Sequence, residues 1–108
     1  MIRVLSQYGR AGITFLLTSS NTATAFTSLV LEDGGKLLCA IMLQVVTNPV
    51  KLAFGATPVQ GAGNLGHIIA KDEAPIFLTG ETLLDGLLYI SSTNGNHGVM
   101  IITPFYQG

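Results

Sequence analysis

Six residues match the pattern that cradles a dinucleotide: Gly61-Ala62-Gly63-Asn64-Leu65-Gly66 reads GxGxxG, and Glu81 lies twenty residues after Gly61. That pattern holds a pyrophosphate only where a strand enters the glycines and a helix leaves them, so that amide N–H groups and the helix dipole meet the charge. Only His67 to Ala74 separates the last glycine from Pro75, too little chain for a crossover helix. The stretch Ala56 to Gly66 is therefore expected to be a loop, with no cofactor. Cys39, His67 and His97 are the soft metal donors, and their spacing fits no zinc pattern. Cys39 stands in the most apolar run and reads as a buried core thiol, whereas both histidines adjoin glycine-rich loops and read as exposed. Asp72 with Glu73, and Glu81 with Asp85, are close in sequence, but neighbours in a turn rarely converge on one substrate atom. No serine stands in a GxSxG elbow, and no Ser/His/Asp order stands out. The tyrosines and phenylalanines do not interleave with basic residues, so no surface for stacking single-stranded nucleic acid is indicated. The residues point to a protein that is not an enzyme and has no metal site.

Composition narrows the alternatives. The 108 residues suit one domain; residues 11–108 are expected to form it, with residues 1–10 as an N-terminal arm. One cysteine leaves no internal disulfide framework. A net charge of −1 gives no electrostatic case for nucleic acid or an anionic membrane. Charged residues make up only 10% of the chain, against roughly 25% in an ordinary soluble domain. Apolar residues make up 48%, and mean hydropathy is +0.53. A chain with so few charges to cover it is expected to hide surface against partners. It has no run near the ~20 apolar residues that a membrane-crossing helix needs. The N-terminus imitates a secretory signal, with Arg3, Arg10 and Ala23-Thr24-Ala25. Its apolar centre, Ile13 to Leu17, is shorter than such a signal needs, so the segment is expected to be retained.

The elements that must position these residues are strands, because no window sustains a helical period. Leu37 to Val46 is an almost unbroken apolar run, broken only by Gln44, and suits a strand covered on both faces. Thr47-Asn48-Pro49 turns the chain. Val50 to Phe54 alternates, with Val50, Leu52 and Phe54 on one side and Lys51 and Ala53 on the other. The two arms read as a hairpin, and Asp33-Gly34-Gly35 joins the first arm to Ser28–Glu32 as a meander. Further strands are expected at Gly12–Thr18, within Thr22–Glu32, at His67–Ala70, Ala74–Thr79 and Leu87–Ser92, and at Val99–Thr103, where Pro104 would stop the last. Glu81 to Leu84 fits a single helical turn. The fold class is all-β: an antiparallel sandwich or compressed barrel of about eight short strands with no long helix.

Two strands, Leu87–Ile90 and Val99–Thr103, are apolar on both faces. Either a long loop covers their outer side or a neighbouring subunit does. The order from Leu37 to Tyr106 is an apolar strand, a short turn, N-P-V-K-L-A-F-G, a Gly/Pro-rich loop, L-L-Y-I-S-S, a Gly/Asn loop and V-M-I-I-T-P-F-Y. It resembles small β-sandwich structural proteins of tailed-bacteriophage virions. The resemblance implies a capsid decoration (cement) protein that stabilises the head shell, located in the virion and assembled in the host cytoplasm. Its partners would be itself, as a homo-oligomer such as a trimer, and the major capsid protein or other virion proteins. The alternatives are a neck or tail accessory protein, and a carbohydrate-binding sandwich. The candidate interface residues are Ile2, Arg3, Val4 and Arg10 of the arm and Leu88, Met100, Ile102 and Tyr106 of the apolar strands. The turn signal yields a direct test. Gly34→Val is expected to cost about 1 kcal/mol, because a β-branched residue resists the positive φ of a two-residue hairpin turn; an unchanged melting temperature would remove that turn.

Overall fold

A computed structural model of the chain describes residues 10–26, 32–33, 36–80 and 86–106. These residues contain ten strands and no helix. The strands are β1 (Arg10–Ala11), β2 (Phe15–Thr18), β3 (Thr24–Ala25), β4 (Glu32–Asp33), β5 (Lys36–Val45), β6 (Val50–Phe54), β7 (His67–Ile69), β8 (Ile76–Thr79), β9 (Leu87–Ser91) and β10 (Val99–Tyr106). They form two antiparallel sheets packed as a sandwich, the expected fold class. In the larger sheet, β10 and β5 are the central pair. β1 and β2 follow one another along the free side of β10, while β8 and β4 do so along the free side of β5. The smaller sheet runs β3-β9-β6-β7. The chain changes sheet at most of its connections, as in jelly rolls.

The expected hairpin of β5 and β6 does not form, and the meander built on it does not either. β5 lies in the larger sheet and β6 in the smaller one. The reason is that both edges of β5 are taken, by β10 on one side and by β8 and β4 on the other. The Thr47-Asn48-Pro49 corner carries the chain across the sandwich instead. Other strands hold it there: the Val99 N–H donates to Thr47 Oγ1 (2.7 Å), Asn48 Nδ2 to the His97 carbonyl (3.1 Å) and the Ser92 N–H to the Pro49 carbonyl (3.1 Å). The β4–β5 pairing does match expectation, with Asp33 opposite Lys36 across a two-residue connection. Gly34 and the Glu81–Leu84 turn lie outside the described residues.

Two local details explain departures from the sequence reading. Cys39 is half-buried rather than part of the core. It is the extra residue of a bulge, since Phe105 pairs with Ala40 and Tyr106 with Leu38. The bulge lets Leu38 and Ile41, three residues apart, both reach the core. Pro104 does not end β10, which runs on to Tyr106. The Pro104 carbonyl accepts from the Gly12 N–H (2.7 Å). The missing proline N–H points to that same side, where β1 has ended and β2 has not begun, so no ladder bond is lost.

The core lies between the sheets. It joins Ile41, Leu43 and Val45 of β5, Met100 and Ile102 of β10, Val50 and Leu52 of β6, and Leu87 and Tyr89 of β9. Phe26 is fully buried, with its ring centroid 4.7 Å from that of Tyr89. At one end, buried Gly98 lies against the Asn48 carbonyl, and an added Cβ would also stand 2.6 Å from Val50 Cγ2. Gly98→Ala is therefore expected to destabilise the fold by about 2 kcal/mol, within the range for overpacking, read as a lowered midpoint in urea unfolding.

Candidate functional site

The residues that resembled a dinucleotide loop close on a lysine. Lys51 pairs with Ile90 across β6 and β9 and projects from the outer face of the smaller sheet. It is nonetheless 0% exposed. Its ammonium has three N–H donors, and three loop carbonyls receive them: Val59 at 2.9 Å, Gly61 at 2.5 Å and Asn64 at 3.0 Å. The loop is tied down elsewhere too. The Val59 N–H donates to the Leu65 carbonyl (2.8 Å), the Gly61 N–H to the Ser92 carbonyl (2.9 Å) and Gln60 Nε2 to Asn21 Oδ1 (2.9 Å). Gly66 sits at φ 130°, where a Cβ would meet Lys51 Cδ at 3.2 Å and Pro58 Cβ at 3.3 Å. The glycines thus serve positive φ and close approach to the lysine stem. With the loop folded over it, Ile90 is buried on the outer face. The chain's own loop, not a neighbour, covers this part of the two-sided apolar strand Leu87–Ile90.

A second polar group lies at the same end of the sandwich. The Gly98 N–H donates to Ser19 Oγ (2.8 Å), Ser19 Oγ bonds Ser91 Oγ (2.7 Å), and Ser91 Oγ bonds His97 Nδ1 (2.9 Å). The Ser91–His97 contact escaped the sequence reading although the two are six residues apart, because it depends on the Thr93–Asn96 turn folding back, and Ser19 joins from 72 residues away. Ser91 is 0% exposed, so its hydroxyl cannot meet a substrate. The chain of bonds joins β9 of one sheet to the segment after β2 of the other. Cys39, His67 and His97 are not gathered, and among the described residues no three His, Cys, Asp or Glu side chains could share a metal.

The candidate interface residues fall into four groups. Ile2, Arg3 and Val4 lie outside the described residues. Arg10 opens β1, paired with Tyr106. Leu88 is half-buried on the outer face of β9, whereas Met100, Ile102 and Tyr106 are buried in this chain's own core. The structure thus corrects the last three as surface residues: side chains alternate along β10, and the outward set is Val99, Ile101 and Thr103. The exposed large apolar residues include Phe54 at the end of β6 and Val59 and Leu65 of the loop 56–66, and the rest lie at the sheet margins. Ile13 is 86% and Leu16 68% exposed beside β10, and Ile68 is 50% exposed on β7. At that other margin, Ile68, Ile69, Glu73, Pro75 and Ile76 help line a groove of about 400 Å³ between β7 and β8.

No family model matches this chain, and no curated protein matches it either. A solved structure described as "Bacillus endospore appendages form a novel family of disulfide-linked pili" is similar at 16% identity, over 92% of this chain and 90% of that one, with a TM-score of 0.46. At that distance the likeness carries no statement about function.

The Lys51 site makes a sharp prediction. Lys51→Met keeps the stem and removes the ammonium, leaving three carbonyls to find other donors. The expected loss is about 2–4 kcal/mol, or about 10 °C or more in Tm for a domain of this size. Amide exchange should lose protection across residues 59–65 first; unchanged exchange there would mean that the lysine does not hold the loop.

Proposed function

We propose that this chain is a non-enzymatic structural subunit that works as a homo-oligomer in a larger protein assembly, most specifically as a capsid decoration protein of a tailed-phage virion. The observation that carries the oligomeric part is the margin of the larger sheet. Ile13 and Leu16 stand largely in solvent, next to half-exposed Ile101, in a chain with 10% charged residues. Apolar side chains grouped along an open strand edge favour association. The virion part rests on the order of strands and loops from Leu37 to Tyr106, which a neck or tail accessory protein would share. A second reading, a carbohydrate-binding sandwich, draws on the amide-rich loop end, where Asn64, Asn94 and Asn96 are exposed near Asn21 and Gln60.

Sedimentation of the purified chain tests the first reading, with an oligomer expected at micromolar concentration. Leu16→Lys should shift it toward monomer while changing stability by no more than ~0.5 kcal/mol, as for other surface substitutions. A wild-type chain that stays monomeric at high concentration and binds a glycan array would favour the second reading. Binding to particles stripped of decoration protein tests the virion assignment.

A further inference from the structure

Strand β2 has one edge on β10 and one edge free. Backbone groups alternate sides along a strand. The Ser19 N–H donates to the Gly98 carbonyl (2.8 Å), so Ser19, Leu17 and Phe15 turn their N–H and C=O groups toward β10. Leu16 and Thr18 turn theirs away. Their partners on β10 agree with this: the carbonyl of Val99, opposite Thr18, accepts from Val46 on the far side of β10 (2.9 Å). Leu16 and Thr18 are both exposed. Among the described residues, β2 pairs with β10 alone.

Charge is distributed unevenly around this sheet. Residues 11–31 and 86–108 hold none of the chain's Asp, Glu, Lys or Arg, so the β2–β10 side is uncharged beyond Arg10. The far side of β5 carries Glu32 and Asp33 on β4, Lys36 at the start of β5, and Lys71, Asp72 and Glu73 ahead of β8. Edge strands that stay single are guarded by charges, prolines or bulges. The four residues of β2, FLLT, hold no charge and no proline. Its inner face is also unfinished, since Phe15 and Leu17 are only partly buried against the core.

We infer that β2 pairs antiparallel with β2 of a second copy about a two-fold axis at Leu17, so that the larger sheet runs on into its copy. This rests on the oligomeric reading above and specifies its surface. The pairing is self-complementary, as a two-fold contact requires. Leu16 faces Thr18 of the second copy and Thr18 faces its Leu16, so the outward N–H and C=O groups of both satisfy one another. Leu17 then meets Leu17 of the second copy in a non-hydrogen-bonded pair, where side chains approach most closely, and the two cores join there. Ile13 and Leu16, 86% and 68% exposed, add apolar area beside the ladder. A stable contact buries at least ~1,000 Å² in total, and no charge in Ala11–Thr18 has to lose its water for it.

Sedimentation and a cross-link test this. The wild-type chain should be a dimer. Thr18→Pro removes an outward N–H and spares the β10 ladder, and it should weaken dimerisation at least about tenfold. Ile68→Lys, at the β7 margin, should leave the dimer unchanged. Under mild oxidation Leu17→Cys should give a disulfide-linked dimer, because the Cα atoms of such a pair lie within bridging distance, whereas the wild-type chain, with Cys39 alone, should not. Thermal melts establish that each variant is folded. Thr18→Lys replaces Thr18→Pro if the latter unfolds, and a mixture of Leu16→Cys with Thr18→Cys replaces Leu17→Cys. A wild-type trimer, a dimer that withstands Thr18→Pro, a dimer that Leu17→Cys does not cross-link, or a dimer that Ile68→Lys dissociates overturns the inference and leaves the oligomeric reading intact. A wild-type chain that stays monomeric overturns both.

Discussion

The pairing of β5 with β10 is the constraint from which the rest follows. It is the longest ladder in the described residues, with partners from Leu38–Tyr106 to Val45–Met100. Two apolar strands placed centrally can bury their inner faces only if a second sheet covers them. Once β8 and β4 take the other edge of β5, no edge is left for β6. The chain must then leave the sheet at Thr47, and the sandwich is the result. The corner at Asn48 and Pro49 is shaped by the groups it meets on the far side, the His97 carbonyl and the Ser92 N–H. Tight approach there also explains why Gly98 carries no side chain.

Lys51 solves a different problem. A small sheet has an outer face that must be wet or covered, and here Ala53 and Ile90 are too apolar to be wet. The loop 56–66 has backbone carbonyls that would be costly to bury alone. One ammonium serves both needs, because its three donors collect three of those carbonyls while its methylenes lie on the sheet. The Ser19–Ser91–His97 chain works in the same spirit at the end of the sandwich, satisfying buried hydroxyls while joining the two layers. Neither polar group has the open, convergent geometry of a catalytic site. Both groups turn inward, one to the loop carbonyls and the other to the join between the sheets.

The sequence by itself determined the class of fold. The length of apolar runs, the scarcity of helical periodicity and the turn residues were enough for an antiparallel sandwich, and the positions of β5, β6, β9 and β10 were readable from local pattern. It also determined that the GxGxxG stretch was a loop, because the chain available after Gly66 was too short for a helix. Tertiary structure alone decided which strands share a sheet, since hairpin and cross-sandwich connections have the same local signature and differ only in whether a distant strand already fills the edge. It decided the facing of β10: Met100 and Ile102 against Val99 and Ile101 are indistinguishable when both faces are apolar, because hydrophobic alternation is then absent as a signal. It decided the fate of Lys51 as well. A charged residue alternating with apolar ones reads as solvent-facing, and only the loop closing over it, through carbonyls eight to thirteen residues away, makes its burial affordable.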